Sequence, residues 1–151
     1  MSKEEDRLRF LEADAVRGFT AHCGLTSVSL QPGRFVTRVE IQEWHLQQDG
    51  FVHAGLIATM ADHTAGYASY SLVPPNRRIL TVEYKINFLA PAVGEYLECR
   101  AQVIKSGKNL LISESEIYAI QEGKETLAAK ALLTMAAVPQ DKVPKASGVR
   151  S

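Results

Sequence analysis

An α+β fold, with one antiparallel sheet packed against a single long helix, is what this chain of 151 residues predicts. Three observations carry that prediction. Residues 54–71 read as one helix rich in small residues, stopped by Pro74-Pro75, which cannot continue it. Only strand patterns follow the helix. Short turn signals separate those strands, and strands joined by tight turns pair antiparallel.

Taken in order, residues 3–22 predict a helix, with Leu8, Leu11, Ala15 and Phe19 near one stripe and Cys23-Gly24 closing it. Residues 26–30 form a short strand. Gln31-Pro32-Gly33-Arg34 is a turn, with Pro and Gly where a type II turn wants them. Phe35, Thr37, Val39 and Ile41 alternate with Val36, Arg38, Glu40 and Gln42, which is a half-buried strand. A loop from Trp44 to Phe51, broken at Gly50, leads to the long helix. Seven of the 17 residues from Ala54 to Tyr70 are Ala or Gly, a surface that lets a helix lie close to a sheet. Gly55 and Gly66 each cost about 1 kcal/mol in helix propensity, so burial must hold the helix. Beyond it, Leu80, Val82, Tyr84, Ile86 and Phe88 alternate with Thr81, Glu83, Lys85 and Asn87. Strands at 97–103, 110–120 and 126–138 follow, with turns at Ser106–Asn109 and Glu122–Lys124. No internal repeat is visible. Residues 1–138 make one domain, and 139–151 a loose polar tail.

Lys plus Arg and Asp plus Glu both number 17, so no basic surplus points to nucleic acid. No uncharged apolar run approaches the roughly 20 residues of a membrane span. Together with the charged start MSKEEDRLRF, this predicts a soluble, cytoplasmic protein. Cys23 and Cys99 read as free thiols of a reducing compartment. No His, Cys, Asp and Glu set has metal-ligand spacing, so no metal is expected.

Asp62 is the only formally charged side chain between Phe51 and Asn76. A carboxylate inside a tight helix costs free energy unless it is paired or hydrogen-bonded. It is either a satisfied structural acid or a group kept for chemistry.

The helix start Asp49-Gly50-Phe51-Val52-His53-Ala54-Gly55, the later Ala61-Asp62, and the strand from Leu80 to Ala92 ending in Ala90-Pro91-Ala92 resemble the hotdog-fold acyl-CoA thioesterases. The phenylacetate-pathway (PaaI-type) and 4-hydroxybenzoyl-CoA branch is the nearest in pattern. The resemblance implies a curved antiparallel sheet of five to six strands wrapped around the long helix, and a homodimer or a dimer of dimers. It implies that Asp62 is the catalytic carboxylate, as base or nucleophile, and that Ala54 supplies the backbone N–H that polarises the thioester carbonyl. His53 matches the family's His before the helix, with positioning and base roles both open. Gln47 matches a Gln or Asn that places the substrate or the water, and Thr81 a Ser or Thr that can orient the water. His-Gly-Gly reads His53-Ala54-Gly55 here, so the N–H survives but a methyl crowds the carbonyl. Gly66 replaces a Thr found in one branch. Coenzyme A enters as part of the substrate, and no separate cofactor is implied.

Geometry adds a constraint. A thioester carbonyl becomes an oxyanion when attacked, and the first N–H groups of a helix point outward, unpartnered, at the positive end of its dipole. Ala54 and Asp62 are eight positions apart, roughly 12 Å along the axis at 1.5 Å per residue. One small carbon cannot reach both. If both act on one substrate they come from different subunits of a two-fold dimer. Arg77, Arg78 and Lys108, with Asn109 beside it, are the groups assigned to the coenzyme A phosphates, and Gly55 is a further substrate contact.

Acyl-CoA hydrolysis is the leading expectation. A non-catalytic acyl-CoA binder on the same scaffold would not need Asp62. Hotdog hydratases carry an Asp/His pair, or His followed by Pro-Gly with a helix Glu, and neither pattern is here. A cone-shaped α+β barrel for small apolar ligands would want several helices before the sheet. His63 next to Asp62 points about 100° away around the helix and is a poor dyad partner. His22 and His45 carry no motif. Tyr67 and Tyr70 belong to the core or to a dimer contact.

Overall fold

The computed structural model describes residues 1–146. Within them lie helices α1 (Lys3–Ala15), α2 (Gly18–His22) and α3 (Ala54–Tyr70), and strands β1 (Leu25–Gln31), β2 (Arg34–Glu40), β3 (Arg77–Phe88), β4 (Tyr96–Ser106), β5 (Leu110–Gln121) and β6 (Lys124–Pro139). The strands make one six-stranded antiparallel sheet in the order β1-β2-β4-β5-β6-β3. The sheet curves around α3, the hotdog architecture that the resemblance implies.

The single N-terminal helix expected over residues 3–22 is two helices. Val16 leaves the helical region, Arg17 is extended, and Gly18 sits at a φ of 60°, open chiefly to glycine. The Thr20 hydroxyl fastens the break by donating to the Ala15 carbonyl at 2.8 Å. A capping box starts α1: Ser2 Oγ accepts from Glu5 N–H, and Glu5 accepts from Ser2 N–H.

The propensity cost of α3 is met by burial, as its glycines require. Leu56, Ile57, Met60, Ala61, Ala65 and Ala68 face the sheet and are at most 8% exposed. Buried polar groups on this face are paired. Thr64 and Thr37 share a hydrogen bond of 2.7 Å, and Ser115 donates to the Ala61 carbonyl at 2.7 Å. Each would cost about 1–3 kcal/mol if left unsatisfied.

Strand β3 departs from the expected single apolar stripe. A bulge falls between Thr81 and Glu83 in its pairing with β6. Thr81 lies opposite buried Met135, on the concave face that holds α3, not on the polar face the alternation predicts. Past the bulge the phase shifts, and Tyr84 and Phe88 lie opposite buried Leu133 and Ala129. They share the concave face yet stay 42% and 50% exposed. The tail expected from Pro139 begins in regular structure. Pro139 pairs with Arg77, a 3-10 turn spans Gln140–Lys142, and Gln140 N–H reaches the Asn76 carbonyl. Its last residues, 147–151, lie outside the described part.

Candidate active site

The start of α3 is built by the loop before it. Gln47 N–H donates to the Phe51 carbonyl at 2.7 Å and Gly50 N–H to the Gln47 carbonyl at 3.0 Å. Gly50 holds a φ of 87°, the conformation its turn needs. His53 N–H donates to the His45 carbonyl at 2.8 Å, which fixes where the helix begins. His53 is the N-cap: its Nδ1 accepts from Gly55 N–H at 2.8 Å. A Cβ at Gly55 would meet that Nδ1 at 2.9 Å, so a larger residue there would press on the capping ring. Leu56 N–H turns back to the His53 carbonyl. The Ala54 N–H makes no hydrogen bond among the described residues. It opens beside a cavity of about 370 Å³ lined by Gln47, Phe51, Ala54, Ile57, Phe88 and Pro91. Gln47, which lines that cavity, accepts from Asp49 N–H at Oε1.

Asp62 sits midway along α3 and is half-buried, not the deeply enclosed acid its surroundings in sequence suggest. Thr81 Oγ1 donates to Asp62 Oδ1 at 2.7 Å, across from β3 to the helix. Asp62 Oδ2 takes no hydrogen bond from the described residues. His63 turns the other way. Its Nε2 donates to the Ala15 carbonyl at 2.7 Å and its ring packs on Tyr67, 4.9 Å between centroids. Burial first holds its pKa below the usual value, against the opposing Ala15 bond. Tyr67 donates to Asp14 at 2.7 Å, and burial, then that bond, raise its pKa. These contacts dock α1 on α3 and take no part in a dyad.

The chain thus brings together Asp62 with Thr81, and His53, Ala54 and Gly55 with Gln47. It does not bring the two groups to one point. The basic set is elsewhere again. Arg77 Nη2 donates to Asn109 Oδ1 at 3.2 Å and to the Lys108 and Ala137 carbonyls. Arg78 Nη1 donates to the Pro75 carbonyl at 3.2 Å. Arg77, Arg78, Lys108 and Asn109 gather where β3 begins, at the opposite end of α3 from Ala54.

Two residues escaped the sequence reading. Buried His45 accepts from Gln42 N–H at Nδ1 (2.9 Å) and donates from Nε2 to the Cys23 carbonyl (2.8 Å), so its ring ties α2 to the loop that starts α3. Nothing in the spacing around His45 signals this. Arg7, on α1, has Nε and Nη2 shielded from solvent without a hydrogen-bond partner. Burial, then nearby Arg78, lower its pKa, which adds a cation to the basic end.

Known proteins are similar to this chain in sequence and fold. The family model described as the thioesterase superfamily matches residues 49–126, which contain Ala54, Asp62 and Thr81. A crystal structure of a thioesterase family protein from Silicibacter pomeroyi is 34% identical, with a TM-score of 0.84, covering 90% of this chain and 98% of that one. Human acyl-coenzyme A thioesterase 13 is 30% identical over 103 residues, 66% of this chain and 71% of that protein. A 1,4-dihydroxy-2-naphthoyl-CoA hydrolase from Listeria monocytogenes is 26% identical over 100 residues, 66% of this chain and 81% of that protein.

Proposed function

This chain belongs to the thioesterase superfamily and is a thioester hydrolase, and from that premise we propose that it hydrolyses an acyl- or aryl-CoA to the free acid and coenzyme A in sites shared by two subunits. The observation that carries the proposal is the separation of the two halves. An unpartnered Ala54 N–H opens beside a cavity, while the Thr81-held Asp62 lies about 12 Å further along the same helix.

In the proposed mechanism the thioester carbonyl oxygen accepts from Ala54 N–H, aided by the helix dipole. Such a preorganised donor contributes about 3–4 kcal/mol to the transition state. Asp62 of the partner subunit takes a proton from water at its free Oδ2, while Thr81 fixes Oδ1. The water oxygen bonds to the carbonyl carbon, the tetrahedral intermediate collapses, and the carbon–sulfur bond breaks. The proton held by Asp62 leaves with the thiolate as coenzyme A thiol. Direct attack by the carboxylate would instead form a mixed anhydride that water then opens. Gln47 offers its amide to the substrate, and Arg77, Arg78 and Lys108 are the basic groups assigned to the phosphates. Two β3 edges pairing across a two-fold axis would lay the helices antiparallel and cover Tyr84 and Phe88.

Mixing two inactive variants tests this. Asp62→Asn removes the carboxylate, and thiol release from acyl-CoA should fall by about a hundredfold or more. Ala54→Pro removes only the N–H, at the first helical position, where proline is tolerated. His53, at φ −60° and ψ 133°, already has the backbone that precedes proline comfortably. Random mixing of the two in a two-fold dimer should restore about a quarter of the parental rate, because half the dimers then hold one complete site. No recovery in a mixed dimer would place both groups in one subunit. Full activity of Asp62→Asn alone would remove Asp62 from the chemistry.

A further inference from the structure

Phe19 and Trp44 are 68% and 75% exposed and both line one cleft. Behind them lies a cavity of about 560 Å³, walled by His22, Cys23, His53 and Leu56, with Gly55 and Thr59 on α3. That volume falls in the range of small-molecule sites, about 300–1,000 Å³. It adjoins the start of α3 on the α2 side, and the smaller cavity with Ala54 and Gln47 adjoins it on the β3 side. One helix end therefore has a cavity on each flank.

No formally charged side chain lines the larger cavity. Several of its polar atoms already have partners within the chain. Both ring nitrogens of His45 are engaged, His53 Nδ1 accepts from Gly55, and the Thr59 hydroxyl donates to the Gly55 carbonyl at 2.8 Å. The His22 ring, His53 Nε2, the Trp44 indole N–H and the Cys23 thiol are the other polar groups of the wall, and the rest is mainly aromatic and aliphatic surface. A thioester has two arms that diverge from its carbonyl. The coenzyme A arm carries phosphates and amides, which lose hydration in such a place without compensation. An acyl arm loses nothing and covers the two aromatic rings.

We infer that the cleft between Phe19 and Trp44 receives the acyl group of the substrate, and that this group is an aromatic or medium-chain acyl, not acetyl. The inference rests on the thioesterase reading above and adds the substrate class and the residues that select it. An acetyl group would leave Phe19 and Trp44 in water. A ring or a chain of several methylenes fills the space between them.

The chain carries its own reporters. Trp44 is its single tryptophan. Cys23 is on the cleft wall, whereas Cys99 is buried and its pKa is pushed up to about 12, first by burial. The experiment adds S-octyl-CoA, a thioether that cannot be hydrolysed, to the full-length protein, with coenzyme A alone as the control. Occupancy should shift Trp44 emission to the blue and slow alkylation of Cys23 by iodoacetamide, and coenzyme A alone should do neither. In turnover, Trp44→Ala and Phe19→Ala should each lower the ratio of kcat/KM for octanoyl-CoA over acetyl-CoA by about tenfold. S-octyl-CoA that fails to bind, or binds by calorimetry with Trp44 and Cys23 unchanged, overturns the inference, as does an unaltered ratio. If no thioester is hydrolysed but S-octyl-CoA still moves both reporters, the cleft stands and the hydrolase reading falls.

Discussion

The two edges of the sheet are treated oppositely. Strand β1 has seven residues, lies under α1 and α2, and is fastened to α1 through Ser27 and Glu12 at 2.7 Å. Strand β3 has 12 residues, and no other element of the described chain pairs with its outer side. Each edge carries a bulge with a valine in it, Val28 in β1 and Val82 in β3. Native proteins normally blunt a long exposed edge, because its unpaired N–H and C=O groups invite another strand. One edge here is closed by the chain's own helices. The other is long, exposes Leu80, Val82, Tyr84 and Phe88, and carries Thr81, which holds Asp62. The edge left open is the edge that touches the proposed catalytic acid, which is the sense of the proposed dimer.

The largest effect should come from charging that edge. Val82→Lys sets two lysines against each other across the proposed two-fold axis. Light scattering should then report a monomer, and thiol release should fall with the dimer, by about a hundredfold when dissociation is complete, since each subunit keeps only half a site. Val28→Lys, the matching change on the closed edge, should leave mass and turnover near those of the parent. Equal behaviour of the two variants would abolish the distinction between the edges.

A smaller effect follows from the link between the open edge and the acid. Thr81→Val keeps the shape and removes the donor to Asp62 Oδ1. A hydrogen bond to a charged group contributes about 1.5–3 kcal/mol, so kcat should drop by about ten- to a hundredfold with KM little changed. The same mutation should not alter the molecular mass. A change confined to KM would mean that Thr81 binds substrate and does not hold the carboxylate.

Much of this was legible in the sequence. Residues 54–71 against the observed Ala54–Tyr70, and the breaks at Gly24, Gly33 and Pro74, are local signals that tertiary structure has no reason to override. The motif around His53 and the acid eight residues after Ala54 led to the family, and the family model covers both. The bulge at Val82 was not legible. Alternation in β3 shows a period but not its phase, which is set by pairing with β6, more than 40 residues away. Thr81 was therefore assigned to the wrong face. His45 failed for a related reason, since its ring bonds link Gln42 and Cys23, backbone groups that any residue types could supply. The interruption at Arg17-Gly18 hid inside an unbroken apolar stripe, because one glycine in a helical pattern is ordinarily tolerated.

His45 tests how far the closed side of the molecule supports the site. His45→Ala leaves the Gln42 N–H and the Cys23 carbonyl without their partner, so unfolding free energy should fall by about 1–3 kcal/mol in urea titration. His45→Gln retains one donor and one acceptor and should recover part of it. Turnover at saturating acyl-CoA should fall too, because His53 N–H hangs from the His45 carbonyl and Ala54 follows. Stability loss with unaltered kcat would show that α3 starts correctly without the anchor.

The smallest expected effect is the pH response of the contact between α1 and α3. Burial holds the folded-state pKa of His63 below its ordinary value, with the Ala15 bond opposing and burial dominant. The neutral ring is therefore favoured in the folded state, and the unfolded chain binds the extra proton first. The stabilisation is complete above the unfolded value of about 6.5 and declines as pH falls from there toward the lowered folded value. Melting temperature should accordingly fall as pH drops below about 6.5, by a small amount that His63→Gln flattens, because glutamine can still donate to the Ala15 carbonyl and does not titrate. The open edge is the control: Val82→Lys should not change the slope of this limb, since His63 packs on α1 and Tyr67, away from β3. A limb that persists in His63→Gln would assign the acid sensitivity to another group.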